Sequence, residues 1–132
     1  QLHPAFADFT AHSGKLRASA STQERAYLAR LYWFTVEFGL LNSAQGLKIY
    51  GGGILSSPQE TEYAYASSVP ERREFNISDV LRTRYRIDVL QPIYYQLNSV
   101  NDLYDLANTD IMAEVAKARE LGLFPLPESI AH

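Results

Sequence analysis

Between Tyr27 and Leu41 the chain offers almost no polar face: Tyr27, Leu28, Leu31, Tyr32, Phe34, Val36 and Phe38 surround any helix drawn through them. A helix that is apolar nearly all round must be buried on most sides, so the remaining elements have to wrap it. Its start is marked by Ser21 and Glu24, which have the S-x-x-E spacing of a capping box. The pattern predicts a central, buried helix from Ser21 to Leu41, ending near Gly39 to Asn42, with Gly46 in the turn after it. No apolar run is long enough to cross a bilayer, and 132 residues supply one domain's worth of chain to bury this helix.

The other elements are shorter. Pro4 opens a helix through Phe6 and Phe9, with Gly14 as its stop and Lys15 to Ala20 as a polar connector. Short β segments at Lys48 to Tyr50 and at Ile54-Leu55 flank Gly51-Gly52-Gly53. Ser57, Pro58 and Glu60 combine an N-cap, a first-turn proline and an N3 glutamate, predicting a helix to about Ala66. A helix from Asn76 to Thr83 turns Ile77, Val80 and Leu81 inward. Tyr85 to Leu90 alternates in period two and reads as a strand. Pro92 interrupts it before Ile93-Tyr94-Tyr95, which places any sheet there at an edge or keeps it small. Ser99 and Asp102 open a last helix that carries Leu103, Leu106, Ile111, Val115 and Ala118 toward Gly122, before a tail with Pro125 and Pro127. The fold class is mainly α with a small β component.

Composition narrows the chemistry. Twelve basic against fifteen acidic residues give a net charge of −3, a balance that disfavours a dedicated nucleic-acid binder, whose footprint would be a basic face. Cysteine is absent, excluding thiolate metal sites and a cysteine nucleophile. His3, His12 and His132 lack the i, i+4 spacing of a helical metal pair. The glycine triplet lacks both nucleotide-binding patterns, and Ser56-Ser57 lack the G-x-S-x-G elbow. Most of the nine tyrosines are expected in the core or at interfaces. Glu37 stands out because its helical neighbours Trp33, Leu40 and Leu41 are apolar. A carboxylate there must be solvated, paired, protonated or metal-bound, and the pattern alone leaves these open.

Two long runs go further. Leu28-Ala29-Arg30-Leu31-Tyr32-Trp33-Phe34-Thr35-Val36-Glu37-Phe38-Gly39-Leu40 and Ile49-Tyr50-Gly51-Gly52-Gly53-Ile54-Leu55-Ser56-Ser57, with Glu60 beyond, strongly resemble the pterin-dependent aromatic amino acid hydroxylases. Tyr85-Arg86-Ile87-Asp88-Val89-Leu90-Gln91-Pro92-Ile93-Tyr94-Tyr95 is similar to the same family, most closely its bacterial phenylalanine-hydroxylating members. The resemblance covers nearly the whole chain and implies the family's catalytic-domain fold. It also implies hydroxylation of L-phenylalanine to L-tyrosine with O2, tetrahydrobiopterin and a non-haem Fe(II) held by two histidines and a carboxylate. By matching position, Glu37 is the metal-binding, catalytic carboxylate. Trp33, Gly53, Ser56 and Ser57 are substrate-binding, and Ala29, Tyr32 and Tyr85 lie around the pterin and iron. Trp33 points to phenylalanine or tyrosine as substrate, since tryptophan hydroxylases usually carry Phe there. Gly52 replaces the family's commoner alanine.

The family's His-Asp-x-x-Gly-His motif, which supplies both histidine ligands upstream of the glutamate, is missing. The segment from Gln1 to Asp8 resembles the stretch just downstream of that motif, and the only methionine is Met112. Residues 1–132 are therefore expected to be the C-terminal portion of a single hydroxylase catalytic domain, inactive by itself. The alternative is a non-catalytic helical module binding an aromatic ligand or a partner protein. A cytoplasmic location, self-association through exposed core, and no heptad tetramerisation helix complete the expectations.

Overall fold

A computed structural model describes residues 4–87 and 90–125. Among these described residues, seven helices and four strands run in the order α1 (Pro4–Ser19), α2 (Thr22–Tyr32), β1 (Leu40–Ser43), β2 (Gly46–Ile49), α3 (Gly52–Leu55), α4 (Pro58–Ala66), β3 (Glu71–Glu74), α5 (Ile77–Arg82), β4 (Ile93–Leu97), α6 (Asn101–Ala107) and α7 (Ile111–Leu121). A π-helical turn, Trp33–Glu37, extends α2. The architecture is mainly helical with one small sheet, as the sequence predicts.

The sheet order is β2-β1-β4-β3, with β1 antiparallel to β2 and parallel to β4, and β3 parallel to β4. Because side chains alternate along a strand, β4 serves both faces. Ile93, Tyr95 and Leu97 join the main core with Phe9, Leu31, Phe34, Leu81 and Leu103. Tyr94 points the other way, into a second cluster with Leu40, Ile54 and Ala64. Helix α1 packs on α6, while α2 and α7 pack on α5.

Local signals account for several boundaries. The Ser21 hydroxyl accepts from Glu24 N at 3.1 Å and the Glu24 carboxylate accepts from Ser21 N at 2.8 Å, completing the capping box. Ser57 caps α4 and Asn76 caps α5, each by accepting from the backbone N–H three residues on.

Other expectations are corrected. Helix α1 runs through Gly14 to Ser19, since one exposed glycine costs a helix only about 1 kcal/mol and Leu16 beyond it packs on the core. The Ser21 helix is buried only from Leu28 onward, and its α-helical part stops at Tyr32. Residues expected at its end instead form a hairpin, β1–β2, turned by Gly46 at a φ of 105°. Ile54 and Leu55 are helical, not β. Tyr85 to Ile87 and Leu90 form no strand, while Asp88, Val89, His3, Pro127 and His132 lie outside the described residues. Strand β4 is interior: Pro92 sits just before it, where its carbonyl still accepts from Glu71 N at 2.8 Å. Its partner β3, Glu-Arg-Arg-Glu, shows no apolar alternation, so no periodicity announces it. The last helix is two, because Asp110 caps a new start by accepting from Ala113 N at 3.1 Å.

One arginine ties β3 to α4. Arg72 donates to the carbonyls of Ala64 (2.6 Å) and Ser67 (2.7 Å), closing the C-terminal end of α4. A cation there also complements the helix dipole. Arg72→Met is expected to lower unfolding free energy by about 2 kcal/mol in urea denaturation. Arg72→Lys should recover only part of this, because an ammonium cannot span carbonyls as a planar fork does.

Candidate functional site

The apolar helix ends in a widened turn. Phe38 N donates to Trp33 O at 2.8 Å, an i→i+5 bond, and the buried Thr35 hydroxyl donates to Leu31 O at 2.6 Å. Such π-turns insert a residue without breaking the helix and re-aim the side chains beyond. Glu37 is the last residue of this one, half-buried.

The glycine triplet lies directly against it. Gly51 N donates to Gly39 O at 3.2 Å. A Cβ on Gly51 would collide with the carbonyl oxygen of Glu37 and stand 2.8 Å from Gly39 N, and one on Gly39 would collide with the Tyr50 hydroxyl and Thr35 O. Gly53 abuts the Phe38 ring in the same way. Two backbones thus meet at distances no side chain permits, which brings the second run of the family pattern beside Glu37. The Tyr50 hydroxyl is buried without a partner there, and burial pushes its pKa far up, keeping it neutral.

Trp33 sits in a three-ring stack, with Phe38 on one face (4.2 Å between centroids, 24°) and Tyr85 on the other (4.3 Å, 15°). Its Nε1 donates to Gln91 Oε1 at 3.3 Å. Both indole faces are therefore covered, so the aromatic wall beside Glu37 is a stack of rings instead of one bare indole. Behind it, the Glu60 carboxylate accepts from Gln91 N at 3.2 Å and from the Tyr94 hydroxyl. Burial, and then this bond, raise the Tyr94 pKa far above its ordinary value, so the phenol stays a donor.

The remaining predicted residues divide. Ala29 and Tyr85 share a cleft of about 470 Å³ with Ala26, Arg30, Arg84, Ile87 and Leu123. That volume is within the usual range for small-molecule sites. Arg30 lies over the Tyr27 ring, 4.8 Å from guanidinium carbon to centroid, and burial lowers its pKa. Tyr32 is not among the residues lining this cleft; its carbonyl accepts from the Thr35 hydroxyl at 3.3 Å. The serine hydroxyls are used locally: Ser56 Oγ donates to Gly53 O at 3.0 Å and Ser57 Oγ caps α4. Among the described residues no group of three or more His, Cys, Asp or Glu side chains could hold a metal ion. They therefore do not complete the two-histidine, one-carboxylate set, and Glu37 is the candidate ligand they offer.

Against this geometry, a family model described as biopterin-dependent aromatic amino acid hydroxylase matches residues 2–121. The chain belongs to this family. It is 58% identical over 123 residues to a phenylalanine-4-hydroxylase of Vibrio cholerae, covering 93% of this chain and 43% of that protein. It is 54% identical over 121 residues to one of Pseudomonas aeruginosa, covering 92% and 46%. The fold matches the apo structure of the cold-active phenylalanine hydroxylase from Colwellia psychrerythraea with a TM-score of 0.92 at 50% identity, covering 96% of this chain and 49% of that one. The chain thus spans just under half the length of these hydroxylases.

Sequence reasoning misses three side chains at the site. Phe38 and Gln91 adjoin Trp33 only after folding, and Glu60 reads in sequence as an N3 helix residue beside a family-like run, with no role assigned to it. Its buried surroundings become visible only once Tyr94 and Gln91 are placed. The glycine packing yields a paired prediction. Gly51→Ala should destabilise by about 1–3 kcal/mol, since backbone must move to admit the methyl. A methyl on Gly52 meets nothing within 4 Å. Gly52→Ala should instead stabilise by about 0.4–1 kcal/mol in the same denaturation assay.

Proposed function

We propose that this chain forms the C-terminal portion of the catalytic domain of a phenylalanine 4-monooxygenase. The observation that supports the reading is the packing of Gly51 and Gly53 against the backbone of Glu37–Gly39, four residues beyond Trp33 and its ring stack. In this reading Glu37 is the iron-binding carboxylate, and its other protein ligands come from outside the described residues. Trp33, Gly53, Ser56 and Ser57 border the L-phenylalanine side. Ala29, Tyr32 and Tyr85 border the tetrahydrobiopterin, with the Ala29–Tyr85 cleft able to take a flat ring.

The chain's own contribution is positional. The ring stack offers an apolar wall to an aromatic side chain, and Gly53 lets that ring approach backbone. The serines, already bonded within their own turn, hold that turn in shape. O2 as co-substrate and a cytoplasmic location belong to the same reading. No described helix is long and apolar enough to cross a membrane. Self-association through exposed core belongs to the same reading. The competing reading, a non-catalytic helical module for an aromatic ligand or a partner protein, draws on the finding that no group of three or more His, Cys, Asp or Glu among the described residues could hold a metal ion.

A chimera separates them. The 123 matched residues of this chain replace their counterpart in the Vibrio cholerae enzyme, and phenylalanine turnover is followed with Fe(II) and tetrahydrobiopterin. Turnover is expected, and a folded, iron-loaded but inactive chimera would favour the module. Glu37→Ala should abolish iron-dependent turnover with the circular dichroism spectrum intact. Trp33→Phe should shift the ratio of phenylalanine to tryptophan turnover by roughly tenfold to two-hundredfold, as a single pocket group can. An unchanged ratio with lowered iron content would make Trp33 a support for Glu37 instead of a pocket wall.

A further inference from the structure

Gln91 buries its amide beside the site almost completely, at 1% exposure, and nothing in the proposed chemistry calls for a buried amide there. A primary amide without partners is costly to bury, so each of its bonds indicates what holds it in place. Its Nε2 donates to Arg86 O at 2.8 Å, fixing the loop that carries Tyr85, and its Oε1 accepts from the Trp33 indole at 3.3 Å. Its backbone N–H donates to Glu60, itself only 6% exposed and held by the Tyr94 hydroxyl. A chain of buried and part-buried hydrogen bonds therefore runs from the first turn of α4 and the interior strand β4 to the edge of the indole. The rings stacked on Trp33 restrain tilt but allow sliding in the ring plane; an in-plane bond at Nε1 stops the slide.

We propose that Gln91 is a positioning residue: its side-chain carbonyl sets the in-plane register of Trp33, and its amide sets Tyr85, so that one side chain aligns two of the three rings beside Glu37. Its importance for substrate rests on the reading of Trp33 as a pocket wall, but the alignment itself is testable without turnover. Trp33 is the only tryptophan, so the 132-residue chain shows a single indole N–H resonance and a single tryptophan emission.

In the unmodified chain the indole proton should exchange with solvent at least about tenfold more slowly than in an unstructured peptide. Gln91→Met, similar in volume but unable to accept the bond, should abolish that protection and raise acrylamide quenching of Trp33 about threefold or more. Gln91→Glu, measured at a pH low enough to keep its carboxyl protonated, keeps an acceptor for the indole and a donor for Arg86 O and should retain both. Full-rate indole exchange in the unmodified chain would overturn the proposal, whatever the variants do. So would a Gln91→Met protein that is less stable yet unchanged in indole exchange and quenching, since Gln91 would then only fill space. If Gln91→Met does not fold, the unmodified chain and Gln91→Glu decide. A protected indole beside an inactive chimera would sink the functional reading alone, and an unprotected indole beside an active chimera this inference alone.

Discussion

The close approach of Gly51–Gly53 to Glu37–Gly39 is the contact on which the rest of the site depends. Carbonyl and amide groups of two segments touch directly there, and the i→i+5 turn puts Glu37 at the seam. The widened turn and the glycines serve the same end: the turn lets the helix deliver its carboxylate, and the absent Cβ atoms let the second segment come close enough to share the space. Without either, α3 and the Ser57 cap of α4 would sit farther from the proposed metal-binding position.

Around that seam the sheet divides the molecule. Strand β4 sends Tyr95 into the helical core and Tyr94 toward Glu60, so a single strand supports the hydrophobic packing and the buried polar chain together. Such chains of hydrogen bonds are stable only when each member is satisfied, and here the donors of Tyr94, Gln91 and Trp33 each reach an acceptor in another part of the fold. The site is consequently rigid at its back, where Gln91 and Glu60 lie, and more open on the side of the Ala29–Tyr85 cleft.

Much of this was legible in the residues. The Ser21–Glu24 box, the Ser57–Pro58 start and the Asn76 helix are local signals with local physics, and they hold. Family resemblance picks out Glu37 and Trp33, because long ordered runs carry information where single spacings say little. What could not be read was non-local. Nothing in Glu71 to Glu74 suggests a strand until β4 offers it a partner, and the alternation of Tyr85 to Leu90 meets no strand to pair with. The π-turn is invisible to a period of 3.6 because the glycine segment pressed against it lies more than a dozen residues further along the chain. Gln91 looks like an ordinary residue before proline until Trp33 arrives.

The strand order carries a consequence for how the chain is made. Both β1 and β3 pair with β4, the last of the four strands, and do so in parallel, which no hairpin can arrange. On a ribosome, residues 4–92 can form helices and the β1–β2 hairpin, but the sheet has no middle until Ile93–Leu97 emerges. Until then Leu40, Ile54 and Ala64 wait without Tyr94, and the Glu60 carboxylate without its phenol. The segment that closes the structure is thus synthesised after both halves of the site it supports, and assembly of the sheet is governed by slow, long-range contacts instead of local ones.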